Sequence, residues 1–407
     1  MPRKLPEMGF RQFVALIAAI MAVNALAIDS MLPALPAIGA SLHIASENDR
    51  QWVVTAYLLG MGVSQIIYGT LADAYGRKPV LLTGLGIYVV FSLMAALSTS
   101  FEMMIAARLL QGMGAAAARV LAVSIVRDRY AGRQMARVVS LALIVFLSVP
   151  IFAPSIGQAI FLLVSWRWIF GCLAIFCSGL ICWIFFRLPE TLHPDDRTPV
   201  SLKTTLHAFH LSLTSRMAVG YMTAAMLIFG SLFGFLNSAQ QIFTDVFGAP
   251  RLFPILFASI AIGMALSSFL NSRIVEKLGT RIVSHGALLG FVAISTCHVV
   301  IAATGHDSMF LFAFLQFATM FCFGLIAGNF SAMAMEPLGH IAGTAAAVQG
   351  FVTTVGGALL GFFIGQHFNG TVVPLILGFS GLGFLALVTV FITEKGKLFR
   401  PTHRARI

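Results

Sequence analysis

Gly69-Thr-Leu-Ala-Asp73-Ala-Tyr-Gly76-Arg77-Lys78 links two long apolar runs, and Ser272-Arg-Ile-Val-Glu276-Lys-Leu-Gly279-Thr280-Arg281 does the same 203 residues later. The offset sets acid on acid, glycine on glycine and Lys78 on Arg281, and it lays the second apolar run on the eighth and the third on the ninth. A chain of this kind is built twice from one unit. Apolar runs near 12–32, 51–70, 79–98, 102–125, 138–160, 167–187, 218–240, 252–272, 282–303, 309–330, 343–365 and 372–392 number twelve, each close to the roughly 20 residues that cross a bilayer as a helix. The reading is an all-α membrane protein with twelve transmembrane helices in two pseudo-symmetric six-helix bundles.

The composition agrees. Of 407 residues, 58% are hydrophobic and 10% charged, against about 25% charged in a soluble domain. The stretch 188–216 is polar, contains Pro189, Pro194 and Pro199, and divides the spans six and six. Residues 1–187 and 217–394 are therefore the bundles, 188–216 a cytoplasmic linker, and 395–407 a basic tail. A net charge of +11 invites a nucleic-acid reading, but its placement follows the positive-inside rule. Only Arg50, Arg167 and Arg251 fall in the loops of one side and Arg108 and Arg119 within a span, while the other 21 of 26 basic residues, from Arg3 and Lys4 to Arg404 and Arg406, fall on the opposite side. Both termini are expected in the cytoplasm, with no nucleic acid as partner. The five cysteines read as packing residues, Cys172, Cys177 and Cys182 among them. No metal-ligand spacing, P-loop, dinucleotide fingerprint or nucleophile elbow appears, so the expectation is no enzyme, no metal and no cofactor.

Several segments carry a family resemblance. Gly69–Lys78 resembles the G-x-L-a-D-x-x-G-R-K loop of the major facilitator superfamily (MFS). Asp29-Ser-Met-Leu-Pro33-Ala-Leu-Pro36, Arg108-Leu-Leu-Gln111-Gly112-Met-Gly114, Val126-Arg127-Asp128, Pro150-Ile-Phe-Ala-Pro154-Ser-Ile-Gly157, Trp166-Arg-Trp-Ile-Phe170 and Leu188-Pro-Glu190-Thr-Leu192 resemble its Bcr/CflA-type multidrug efflux branch. Gln158 stands where the span-five motif usually has a second glycine, and Ala74 where the loop often has a basic residue. The resemblance covers the whole chain and implies the MFS fold, with transport by rocking two bundles about a midplane site. It also implies a proton as the coupling ion, exchanged for drug-like molecules.

Ionisable groups deep in a bilayer are functional candidates because they are costly there. Asp29 and Arg108 lie at matching depth, which allows a pair in which Asp29 carries the proton and Arg108 adjusts its affinity; a static ion pair fixing helix register is the alternative. Arg119 either extends the path or anchors at the headgroups. Gly69, Asp73, Gly76, Arg77 and Lys78, with Glu276, Gly279 and Arg281 in the second half, are gate candidates. Asp73 is expected to face the start of span eleven near Gly343, and Gly69 to permit a close helix approach. Pro150, Pro154 and Gly157 interrupt span five, either as a gate or as a passive kink. Asn24, Tyr57, Phe233, Asn237 and Gln241 are candidate cavity walls. The second half shows no convincing charge inside its spans, so proton coupling is assigned to the first. The expected activity is proton-coupled export of lipophilic or cationic drug-like compounds by a monomer in contact with membrane lipid. A dedicated exporter of one metabolite (amino acid, sugar or siderophore) and a non-transporting scaffold or receptor are the alternatives.

Overall fold

The computed structural model describes residues 8–198 and 209–399. Arg3, Lys4, Pro199, Lys203, Arg400, Arg404 and Arg406 lie outside them. All twelve expected spans are present, as Phe10–Ser41, Glu47–Tyr75, Arg77–Ala96, Phe101–Arg129, Arg137–Leu163, Arg167–Arg187, Arg216–Val246, Phe253–Leu278, Thr280–Ala303, Met309–Gly339, Ala342–Gln366 and Val373–Thr393. Two compact units divide the chain, Met1–Thr205 and Leu206–Ile407, each with six spans.

Local chemistry sets where the spans stop. Gly76 and Gly279 both adopt positive φ, +104° and +87°, with ψ of 157° and 153°. That region strains residues with a Cβ, so both copies of the repeat turn on glycine. Ser100 and Ser308 open the fourth and tenth spans, each Oγ accepting a backbone N–H of the first turn, from Met103 at 3.2 Å and Leu311 at 3.4 Å. Span one bends at Ser30–Met31 into a 3-10 turn and a short helix, Leu35–Ser41, with Pro33 and Pro36 in first-turn positions that need no N–H donor.

Within the first unit, spans two and four cross almost backbone to backbone. A Cβ at Gly60 would stand 1.9 Å from the Leu109 carbonyl oxygen, and one at Gly112 would stand 2.0 Å from that of Tyr57. Gly114 packs nearly as closely on Gly84 and Tyr88 of span three, where a Cβ would stand 2.5 Å from the backbone of each. In the second unit Gly361 packs on Phe233 and Gly234 and Gly357 on Phe233, beside a π-turn at Val352–Gly356. Gly69 is different: among the described residues nothing lies within 4 Å of the position a Cβ would take, so it makes no close approach to them. Cys177 is buried, but Cys172 and Cys182 are exposed, and only the first of the three packs in the core.

Candidate functional site

Asp29 ends the first helical segment of span one and is 5% exposed. It makes no hydrogen bond or ion pair among the described residues. Beside it, span five comes as close as any pair of helices here: a Cβ on Gly157 would lie 1.6 Å from the carbonyl oxygen of Ser30. Gly157 therefore fixes how near the proline-containing fifth span can come to the carboxyl group. The helix Gly132–Leu163 passes through both Pro150 and Pro154.

The expected Asp29–Arg108 ion pair is not formed. Arg108 is fully buried and gives Nε to the Val53 carbonyl at 2.8 Å, one terminal nitrogen to Gln111 Oε1 at 2.6 Å and the other to the Ala27 carbonyl at 3.2 Å. Its guanidinium also lies over Tyr57, 4.4 Å from the ring centroid. Neutral acceptors thus satisfy the buried cation, which binds spans one, two and four together two residues from Asp29. Gln111 passes the network to Ser92 of span three at 2.7 Å.

The expected cavity walls other than Arg119 are buried. Tyr57 is fully enclosed, its hydroxyl donating to Asn24 Oδ1 at 3.0 Å. Asn24, Phe233, Asn237 and Gln241 are each at most 7% exposed; glycines of span eleven press on Phe233, and Asn24 is taken by Tyr57. Arg119 alone of that group is exposed. A separate cleft of about 400 Å³ in the first unit, bounded by Tyr68, Tyr75, Pro79 and Val80, has no charged residue in its lining. Among the described residues, no cluster of His, Cys, Asp or Glu is placed to hold a metal.

The loop after span two is a tight ionic knot. Arg77, 4% exposed, bonds Asp73 through one terminal nitrogen and Asp128 through Nε at 3.0 Å. The carboxylate of Glu190 accepts the backbone N–H groups of Arg77 at 2.9 Å and Lys78 at 3.1 Å, and those of Thr191 and Leu192 within its own loop. It caps the third span from outside, at the end where helix N–H groups lack partners and the dipole favours an anion. Arg77 is thus an ion-pair partner of two carboxylates within the first unit. The Lys78 ammonium donates to the Phe185 carbonyl at 2.8 Å and lies over that residue's ring, 5.6 Å from the centroid. Asp73 remains 47% exposed.

The fold, the repeat and the knotted loop agree with a family-wide comparison, in which the family model described as Major Facilitator Superfamily matches residues 17–361. The chain belongs to the Major Facilitator Superfamily. Relatives of this MFS transporter include a bicyclomycin resistance protein homolog from Haemophilus influenzae, 28% identical over 94% of this chain and 96% of that one. A chloramphenicol resistance protein from Pseudomonas aeruginosa is 31% identical over 86% and 81% of the two chains. The uncharacterized MFS-type transporter YdgK of Bacillus subtilis is also 31% identical, over 88% and 90%. Among solved structures, the Escherichia coli xylose transporter XylE superposes with a TM-score of 0.74 at 11% identity, covering 94% of this chain and 97% of its own. The human organic anion transporter MFSD10 superposes at 0.71 and 16% identity, covering 94% and 100%.

The second unit of this MFS chain holds a related knot with different acids. Arg281 bonds Glu394 at 2.8 Å and approaches Glu336 at 3.6 Å. Glu276, the acid expected to repeat Asp73, is exposed and unpaired among the described residues. Tyr221 donates its hydroxyl to Glu394 at 2.6 Å and meets His285 Nε2 at 3.0 Å, while His285 Nδ1 accepts the Phe399 N–H at 3.2 Å. Partial burial pushes the Glu394 carboxyl up, but hydrogen bonds from Tyr221 and Arg281 and the guanidinium charge hold it below its usual value. At the opposite end of the ninth span, His298, 1% exposed, has Nε2 3.1 Å from Asp307 Oδ2.

Proposed function

We propose that this transporter exports amphipathic drug-like molecules from the bacterial cytoplasm in exchange for protons, by alternating access, with both termini cytoplasmic in the inner membrane. The observation that carries the proton assignment is Asp29: a carboxyl group 5% exposed, inside a span, with no ion pair or hydrogen bond among the described residues to hold it in one protonation state. Such a group gains or loses its proton without breaking a structural contact, and intramembrane acids mark ion and substrate paths. Arg108 then positions span one through the Ala27 carbonyl rather than serving as the acid's direct partner. The drug assignment is supported by the relatives named for bicyclomycin and chloramphenicol resistance. The reading gives the protein no cofactor and no catalytic step.

The test is proton release from purified full-length protein in weakly buffered detergent on addition of chloramphenicol, bicyclomycin or a lipophilic cation, comparing the parent with Asp29→Asn. Release by the parent and none by the variant supports exchange at Asp29. Drug binding by both with no release by either rejects it.

A further inference from the structure

Span four carries two arginines eleven residues apart, close to three helical turns, and they are treated in opposite ways. Arg108 is enclosed and gives a hydrogen bond from each of its three side-chain nitrogens. Arg119 is exposed and makes no hydrogen bond or ion pair among the described residues. From Ala107 to Val126 the only exposed side chains of this span are Leu109, Arg119 and Val123; the last two are one turn apart and share a face. An otherwise buried helix thus opens a narrow stripe with a cation in it.

Arg119 lies inside the hydrocarbon. Span four has 29 residues, about 43 Å, and overhangs a core about 30 Å thick, so Arg119, four residues past its midpoint, is roughly 9 Å within the core edge, a depth that takes the full length of its side chain to cross. Exposure to hydrocarbon at that depth is costly, and charged groups within spans face water-filled paths instead. Its surroundings in the first unit are already committed. Tyr57 lies within electrostatic reach, but its hydroxyl is given to Asn24. The Asn24 amide reaches the Ala115 carbonyl, one turn before Arg119, at 3.5 Å. Asp29 is near the level of Arg108, roughly 16 Å away along the span, and does not neutralise Arg119.

We infer that Arg119 is a substrate-docking group that receives a carboxylate, nitro or amide oxygen, so that the preferred substrates are neutral or anionic amphiphiles rather than lipophilic cations. A guanidinium has five N–H donors and no acceptor. Its partner must therefore be an acceptor, and a cationic ligand on the same stripe meets like charge. Exchange of one proton for one neutral molecule moves net charge, so the membrane potential drives it along with the pH gradient. This rests on the export reading above, and the two fail differently.

The experiment is equilibrium binding to purified full-length protein of three probes: chloramphenicol (neutral, with nitro and amide oxygens), nalidixate (a carboxylate) and tetraphenylphosphonium (a cation without acceptors). The parent is expected to bind the first two more tightly than the third. Arg119→Gln should weaken those two by about 10–100-fold, the scale of one charge-assisted hydrogen bond, and leave the phosphonium unchanged or tighter; Arg119→Lys should keep chloramphenicol within a few-fold. Equal affinities of Arg119→Gln and parent for chloramphenicol and nalidixate overturn the inference. So does a parent that prefers tetraphenylphosphonium, an outcome that needs no variant to fold and leaves proton-coupled export standing. A parent that binds none of the three, nor bicyclomycin, overturns the export reading and this inference together.

Discussion

Gly157→Ala isolates the contact between span five and the Asp29 end of span one. The added carbon would lie 1.6 Å from the Ser30 carbonyl oxygen and 2.6 Å from its carbon, whereas ordinary contact begins near 3.4 Å. Span five must therefore retreat by about 1.8 Å, and the obstacle is backbone, which cannot rotate aside. Overpacking of this sort costs about 1–3 kcal/mol. For a unit of roughly 200 residues that corresponds to about 2–12 °C in melting temperature on the scale of soluble domains. The assay is thermal unfolding of purified protein in detergent, followed by drug-induced proton release at a temperature where the variant is still folded. A folded Gly157→Ala with reduced or lost release would mean that the close approach of the two spans serves the carboxyl group and not stability alone. The reasoning is refuted by a variant that melts with the parent and releases protons as fully, because a methyl group would then fit where the structure leaves no room.

Two further expectations concern the ionic knots. Glu190→Ala should lower the melting temperature, because it uncaps two N–H groups at the start of span three and two in its own loop; loss of a helix cap costs about 0.5–2 kcal/mol, and unchanged melting would show the cap to be dispensable. Glu394 has its carboxyl held below the ordinary 4.5, so its contribution is complete above that pH and is lost as pH falls through the lower folded value. Melting temperature measured from pH 6 to pH 3 should therefore fall less steeply for Glu394→Gln than for the parent, from a lower plateau, and parallel curves would reject the assignment.

The twelve spans were legible because a bilayer imposes one length and one composition on whatever crosses it. The repeat was legible at Gly76 and Gly279 because only glycine meets the backbone demand there. Partners were harder to read. Arg108 and Asp29 sit near the same level, as depth counting implied, yet Arg108 is satisfied by the carbonyls of Val53 and Ala27, and carbonyls are identical at every position of a sequence. Glu276 matched Asp73 by alignment, while the acids that hold Arg281 come from Glu336 and Glu394. A signal for Glu394 was available: it follows Arg281 by 113 residues, as Glu190 follows Arg77. Glu190 stood in a quoted motif with no role attached, because capping another helix leaves no mark in either local pattern. Tyr221 and His285 were missed outright, each being an unremarkable polar residue in an apolar run until the fold brings them to Glu394.

That shared interval bears on how the chain is made. In each half, the carboxylate that fastens the start of the third span emerges only after the sixth has been synthesised, 113 residues later. At about 5–20 residues per second, the third and ninth spans wait roughly 6–23 seconds in the membrane before that contact can form. Each half is then closed by its own last helix, so the first can be complete before the second has begun.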